Sequence, residues 1–113
     1  MIKILQKILQ KKSPCRALQE IECENFNLYD KCLEIGNNQL NKKSFFNFFK
    51  NNDTNFFFGD TYDSKEKNYL KLDLEKKNDL KFNFKNILIF NVLEHVFDID
   101  NAILELKEIL DNE

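Results

Sequence analysis

Four short apolar runs constrain this chain most: residues 31–35 (KCLEI), 55–58 (NFFF), 69–72 (YLKL) and 87–90 (ILIF). Each stops at a turn or polar residue, respectively Gly36, Gly59-Asp60, Asp73 and Asn91. Runs of this length, closed by such residues, read as buried strands. The stretches between them carry helical spacing. Ile4, Leu5, Ile8 and Leu9 form a stripe within residues 1–13, which Ser13-Pro14 ends. Residues 15–24 place Ala17, Leu18 and Ile21 on one side, and residues 40–50 repeat Phe45, Phe46, Phe48 and Phe49. Residues 99–110 put Ile103, Leu106 and Leu110 on one face, with Asp98 and Asp100 suited to the helix N-terminus. Apolar strands alternating with helices indicate an α/β domain built on a largely parallel sheet.

A length of 113 residues suits one domain. Twelve phenylalanines among 42% hydrophobic residues supply a core and exclude a disordered chain. Seventeen basic against nineteen acidic side chains give a net charge of −2, which offers no electrostatic footprint for nucleic acid. No apolar run approaches the roughly 18 residues of a membrane span. The basic, apolar N-terminus is not expected to act as a signal peptide, because Gln6, Lys7 and Gln10 interrupt any continuous apolar region. It reads as a helix against its own domain or a neighbour, with membrane-surface binding through Lys3, Lys7, Lys11 and Lys12 as the other reading.

Cys15, Cys23 and Cys32 form no CxxC pair, and the single histidine, His95, is remote in sequence. Neither count nor spacing makes a metal site. An odd number of thiols also argues against a disulfide framework, so reduced cysteines in a cytoplasmic protein are expected.

In an open parallel sheet, ligands bind beyond the carboxyl ends of the strands. Glu34, Gly36, Asp60, Asp73 and Asn91 all lie at or beside such ends. Gly36 permits a tight turn and close approach of a ligand to the backbone. Asp60 follows 24 residues later, near the spacing at which a carboxylate meets ribose hydroxyls in nucleotide-binding βαβ units. A carboxylate suits a vicinal diol because it accepts two hydrogen bonds at once. Asp60 beside Gly59 and Asp73 at a strand end also fit plain turn residues. His95 is a candidate base because histidine as a residue type can exchange a proton near neutral pH, and equally a pocket-lining residue in a turn.

These segments resemble class I S-adenosylmethionine-dependent methyltransferases. Residues 32–39 (CLEIGNNQ) are similar to that family's first motif, an acidic strand end followed by a glycine-rich turn. The resemblance implies cofactor contacts from Glu34, Gly36 and Asn38, a ribose contact from Asp60, and adenine contacts from Asp73 and Leu74 in residues 72–74 (LDL). Residues 87–110 (ILIFNVLEHVFDIDNAILELKEIL) resemble the fourth strand, turn and helix of the small-molecule methyltransferases, with Asn91 beside the cofactor.

The implied fold is Rossmann-like, with strand order 3-2-1-4 flanked by helices. An N-terminal helix at 1–13 would precede the N-terminal half of a methyltransferase-like domain at 14–113. The family's fifth strand and terminal hairpin would lie past residue 113, so the expected domain is incomplete and its fourth strand a bare apolar edge. The expected activity is methyl transfer to a small-molecule acceptor. The other expectation is a non-catalytic module that pairs through that edge with itself or a companion chain.

Overall fold

The computed structural model describes residues 2–36, 44–81 and 83–110. In chain order the elements are α1 (Ile2–Leu9), α2 (Pro14–Cys23), β1 (Asn27–Ile35), a 3-10 turn (Phe45–Phe48), β2 (Asn51–Asp60), β3 (Tyr69–Lys71), β4 (Asn86–Ile89), a second 3-10 turn (Leu93–His95) and α3 (Ile99–Ile109). The strands form one sheet in the order β3-β2-β1-β4, and all three pairings are parallel. Register sets Leu33 beside Phe57 and Ile87, and Glu34 beside Phe58 and Leu88.

Alternation along the strands then builds two apolar layers. On one face Leu33 and Ile35 join Leu72, Leu74 and Phe84 under Ala102 and Ile109 of α3. On the other, Leu28, Cys32 and Leu88 meet Phe46, Phe49, Phe56 and Phe90. Cys23 and Cys32 are buried and Cys15 is exposed, all as free thiols. Burial, with the Glu34 charge adding to it, pushes the Cys23 thiol up to about 11 and the Cys32 thiol up to about 12.

Helix boundaries follow local chemistry. Ser13 caps α2 by accepting the Arg16 N–H at 3.2 Å, and Pro14 occupies the first turn, where its missing N–H costs nothing. Asp98 caps α3 by accepting the Asn101 N–H at 3.1 Å.

Three helical expectations are corrected. The phenylalanine helix expected over residues 40–50 begins outside the described residues, and its described part is only the Phe45–Phe48 turn. β2 already begins at Asn51, so Phe49 must turn extended to feed it. Phe45 stacks on Phe90 at 3.9 Å and Phe46 on Phe56 at 4.2 Å, which fastens this turn to the sheet. In α2 the buried side chains are Ala17, Glu20 and Cys23, while Leu18 is exposed. In α3 they are Ala102, Glu105 and Ile109; of the expected face Leu106 packs against the core while Ile103 faces outward. In each helix a buried carboxylate with partners stands on the inward side, Glu20 in α2 and Glu105 in α3.

Glu20 is 1% exposed and collects three cations, Lys7 at 2.9 Å, Lys12 at 2.8 Å and Arg16 at 3.0 Å. Burial would raise its carboxyl, but hydrogen bonds from Lys12, Lys7 and Arg16 together outweigh that and hold it below the ordinary carboxylate value. Arg16 also lies over the Phe45 ring at 3.6 Å, and Lys7 over Phe48 at 4.5 Å.

Candidate functional site

The carboxyl ends of the strands open into a crevice of 190 Å³ lined by Gly36, Asp60, Thr61, Asp73, Leu74, Glu75, Val92 and His95 among others. Backbone contacts set its floor. Gly36 N–H donates to the Gly59 carbonyl at 2.9 Å, tying the ends of β1 and β2, and Leu72 N–H donates to the Asp60 carbonyl at 2.9 Å. Gly36 has φ +86°, and a Cβ there would lie 2.2 Å from Val92 Cγ2. The residue must be glycine both for its backbone and for the valine packed over it. At Gly59 a Cβ would meet Leu72 Cδ2 at 2.6 Å, so this glycine lets Leu72 close over β2.

Asp60 is half-buried, and its Oδ1 accepts the Thr61 N–H at 2.7 Å. Its Oδ2 takes no hydrogen bond among the described residues. The Tyr69 hydroxyl donates to the carbonyls of Asp60, at 3.0 Å, and of Tyr62. Burial and the neighbouring Tyr62 and Asp60 push the Tyr69 phenol up to about 12, so it remains a neutral donor.

Asp73 Oδ1 accepts the Glu75 N–H at 2.9 Å and Oδ2 lies 3.8 Å from Lys76. Asn78 braces this loop: its Oδ1 takes the Asp73 N–H at 2.8 Å, and its N–H and side-chain amide both donate at 3.0 Å to Oε2 of the buried Glu105 on α3. Glu75 Oε1 accepts the N–H groups of Phe97 at 3.0 Å and Asp98 at 3.4 Å, joining the loop after β3 to the one before α3.

Five residues singled out from the sequence therefore share this crevice: Gly36, Asp60, Asp73, Leu74 and His95. Two others do not join them. Glu34 is buried on the opposite face, where it accepts the Ser44 hydroxyl and the Phe45 N–H at 3.1 Å, so it holds the start of the first 3-10 turn. Asn91, at φ +58°, exchanges amide hydrogen bonds with Gln19 of α2 at 3.2 and 3.3 Å. Asn38 lies outside the described residues. The crevice also draws on Thr61, Glu75 and Val92, which sequence reasoning passed over. Their adjacency to Asp60, Asp73 and Asn91 was the available signal. No cluster of His, Cys, Asp or Glu able to hold a metal ion occurs among the described residues.

A second cavity, of 340 Å³ and largely apolar, lies between α2 and the sheet, against Leu18, Cys23, Phe26, Phe49 and Phe90. Among those compared, no known protein family, no curated protein and no solved structure matches the chain.

Proposed function

We propose that this chain binds S-adenosylmethionine in the strand-end crevice, as part of a methyltransferase domain acting on a small molecule. One observation carries the reading: Asp60, with an oxygen that takes no bond among the described residues, stands in one crevice with Gly36, Asp73 and Leu74 at the ends of parallel strands. In this reading Asp60 accepts the ribose hydroxyls, Asp73 and Leu74 border the adenine, and Gly36 lets the methionine portion approach the backbone. The crevice is below the roughly 300–1,000 Å³ typical of pockets that engulf a drug-sized ligand. At 190 Å³ it is assigned in this reading to part of the cofactor only, the nucleoside end.

When bound, the cofactor supplies an electrophilic methyl group on sulfur. The chain's own task is to position it and exclude water, and in-line displacement needs no dedicated base. His95 lines the same crevice with its side chain 78% exposed, which suits an acceptor-facing position.

Calorimetry tests the reading. S-adenosylmethionine or its demethylated product is expected to bind, with Asp60→Ala weakening affinity about ten- to a hundredfold, the worth of hydrogen bonds to a charged acceptor. Asp60→Asn, which retains an acceptor for Thr61, separates ribose contact from loop support by falling between the two. Absence of heat with wild-type chain at millimolar ligand would overturn the proposal.

The edge of β4 favours a second reading, as a pairing module. Among the described residues β4 has β1 as its single strand neighbour. Phe84 N–H donates at 3.0 Å to the Ile109 carbonyl, and Phe84 and Leu110 form an isolated parallel bridge just before β4. The expected bare edge is thus occupied at its first position. Lys85 N–H turns inward to Lys31, so by alternation the N–H groups of Asn86 and Leu88 point outward. Such an edge accepts another strand. Light scattering is expected to show self-association that Asn86→Pro abolishes, since proline removes one outward donor. A wild-type chain that stays monomeric at high concentration would refute self-pairing.

A further inference from the structure

α1 is amphipathic, but it faces the body of the protein with its charges. Lys3 reaches Glu24 and Lys7 reaches Glu20, each at 2.9 Å, across to α2. None of its residues is buried. Ile2, Leu5 and Leu9 are 73%, 56% and 83% exposed. At 100° per residue these three lie opposite Lys3 and Lys7 on the helix. A helix docked on its own core shows the reverse arrangement, apolar side in and charged side out. The sequence expectation of a helix packed through Ile4, Leu5, Ile8 and Leu9 is corrected in part: Ile4 is half-buried and Ile8 is 38% exposed, whereas Leu5 and Leu9 join Ile2 on a side that points to solvent.

We propose that this outward face of α1 seats the protein on an anionic lipid surface. Charge favours that occupant. Residues 1–24, which hold α1 and α2, carry five basic and three acidic side chains, while residues 25–113 carry twelve basic and sixteen acidic. Even with Glu20 and Glu24 paired to lysines and Arg16, the net positive charge therefore lies at the end that presents the apolar side, the combination that draws interfacial helices to acidic headgroups. Size disfavours a second copy as the occupant. α1 has eight residues and is roughly 12 Å long, so one face offers on the order of 100–200 Å², against about 800 Å² per partner in a stable protein interface. A bilayer accepts a small apolar wedge without needing a matched partner surface. The helix would lie in the interface, since no helix among the described residues is long and apolar enough to cross a membrane.

Vesicle flotation with the whole 113-residue chain provides the test. The chain is expected to float with phosphatidylcholine vesicles that contain phosphatidylserine and to bind about tenfold or more weakly to phosphatidylcholine alone, with added salt closing the gap. Leu5→Asp with Leu9→Asp should reduce binding about tenfold or more at unchanged far-ultraviolet circular dichroism, because both side chains already face solvent. Failure of the wild-type chain to float with anionic vesicles overturns the proposal. So does equal flotation by the double variant, which would assign binding to charge alone. A concentration-dependent dimer that the double variant abolishes, without vesicle binding, would assign the stripe to a second copy instead.

Discussion

Replacing Glu20 by Gln is expected to lower the unfolding free energy by about 2–3 kcal/mol. Breaking a buried ion pair from one side typically costs about 3–5 kcal/mol, because the remaining charges lose their compensation. The estimate is reduced because Lys7, Lys12 and Arg16 retain 14–28% exposure and regain some water. Urea titration should show the midpoint falling with an unchanged slope. The pH dependence has a definite sign. Glu20 titrates below its ordinary value in the folded chain. Its contribution is therefore complete above the ordinary carboxylate value and is lost as pH falls through the depressed folded value. Below that value the wild-type and Glu20→Gln curves should converge. Curves that stay parallel down to strong acid would refute this assignment.

Gly36→Ala should be similarly damaging, by about 2–5 kcal/mol. Two separable causes add: a side chain at φ +86° costs about 1–2 kcal/mol, and overlap with Val92 about 1–3 kcal/mol. Adding Val92→Ala should recover the overlap and leave the backbone penalty. The double-mutant cycle should then give a coupling of about 0.5–3 kcal/mol, measurable from thermal or urea unfolding. Strict additivity would show that Val92 moves aside freely. Stability, not ligand affinity, is the primary readout, because the glycine is required even before any ligand is present.

These two sites differ in how openly the sequence displayed them. Gly36 ends an apolar run, and a glycine in that place announces a turn. The same logic exposed the four strands and their common direction, because each run stops at a residue that cannot continue a ladder. Parallel strands share one carboxyl end, so their places at strand ends group Gly36, Asp60 and Asp73 from sequence alone.

Glu20 and Glu34 were harder to read. A glutamate within an apolar stretch signals a buried carboxylate, but spacing does not say which partners reach it. For Glu20 they come from α1, the connecting segment and α2 itself. For Glu34 they are Ser44 and Phe45, ten and eleven positions later. Periodicity likewise revealed that α1 has two faces without revealing which one turns inward. That choice was made by Glu20 and Glu24 on the neighbouring helix. The phenylalanines at 45–49 misled because a 3-10 turn and an α-helix both bring residues three apart onto one side.

Glu75 ties the crevice together across the chain. By holding the amides of both Phe97 and Asp98, its carboxylate works as a hasp between the loop after β3 and the one before α3. On this side the wall is set by one side chain and two backbone N–H groups rather than by the sheet, so a change at position 75 acts on the wall while leaving strand pairing alone.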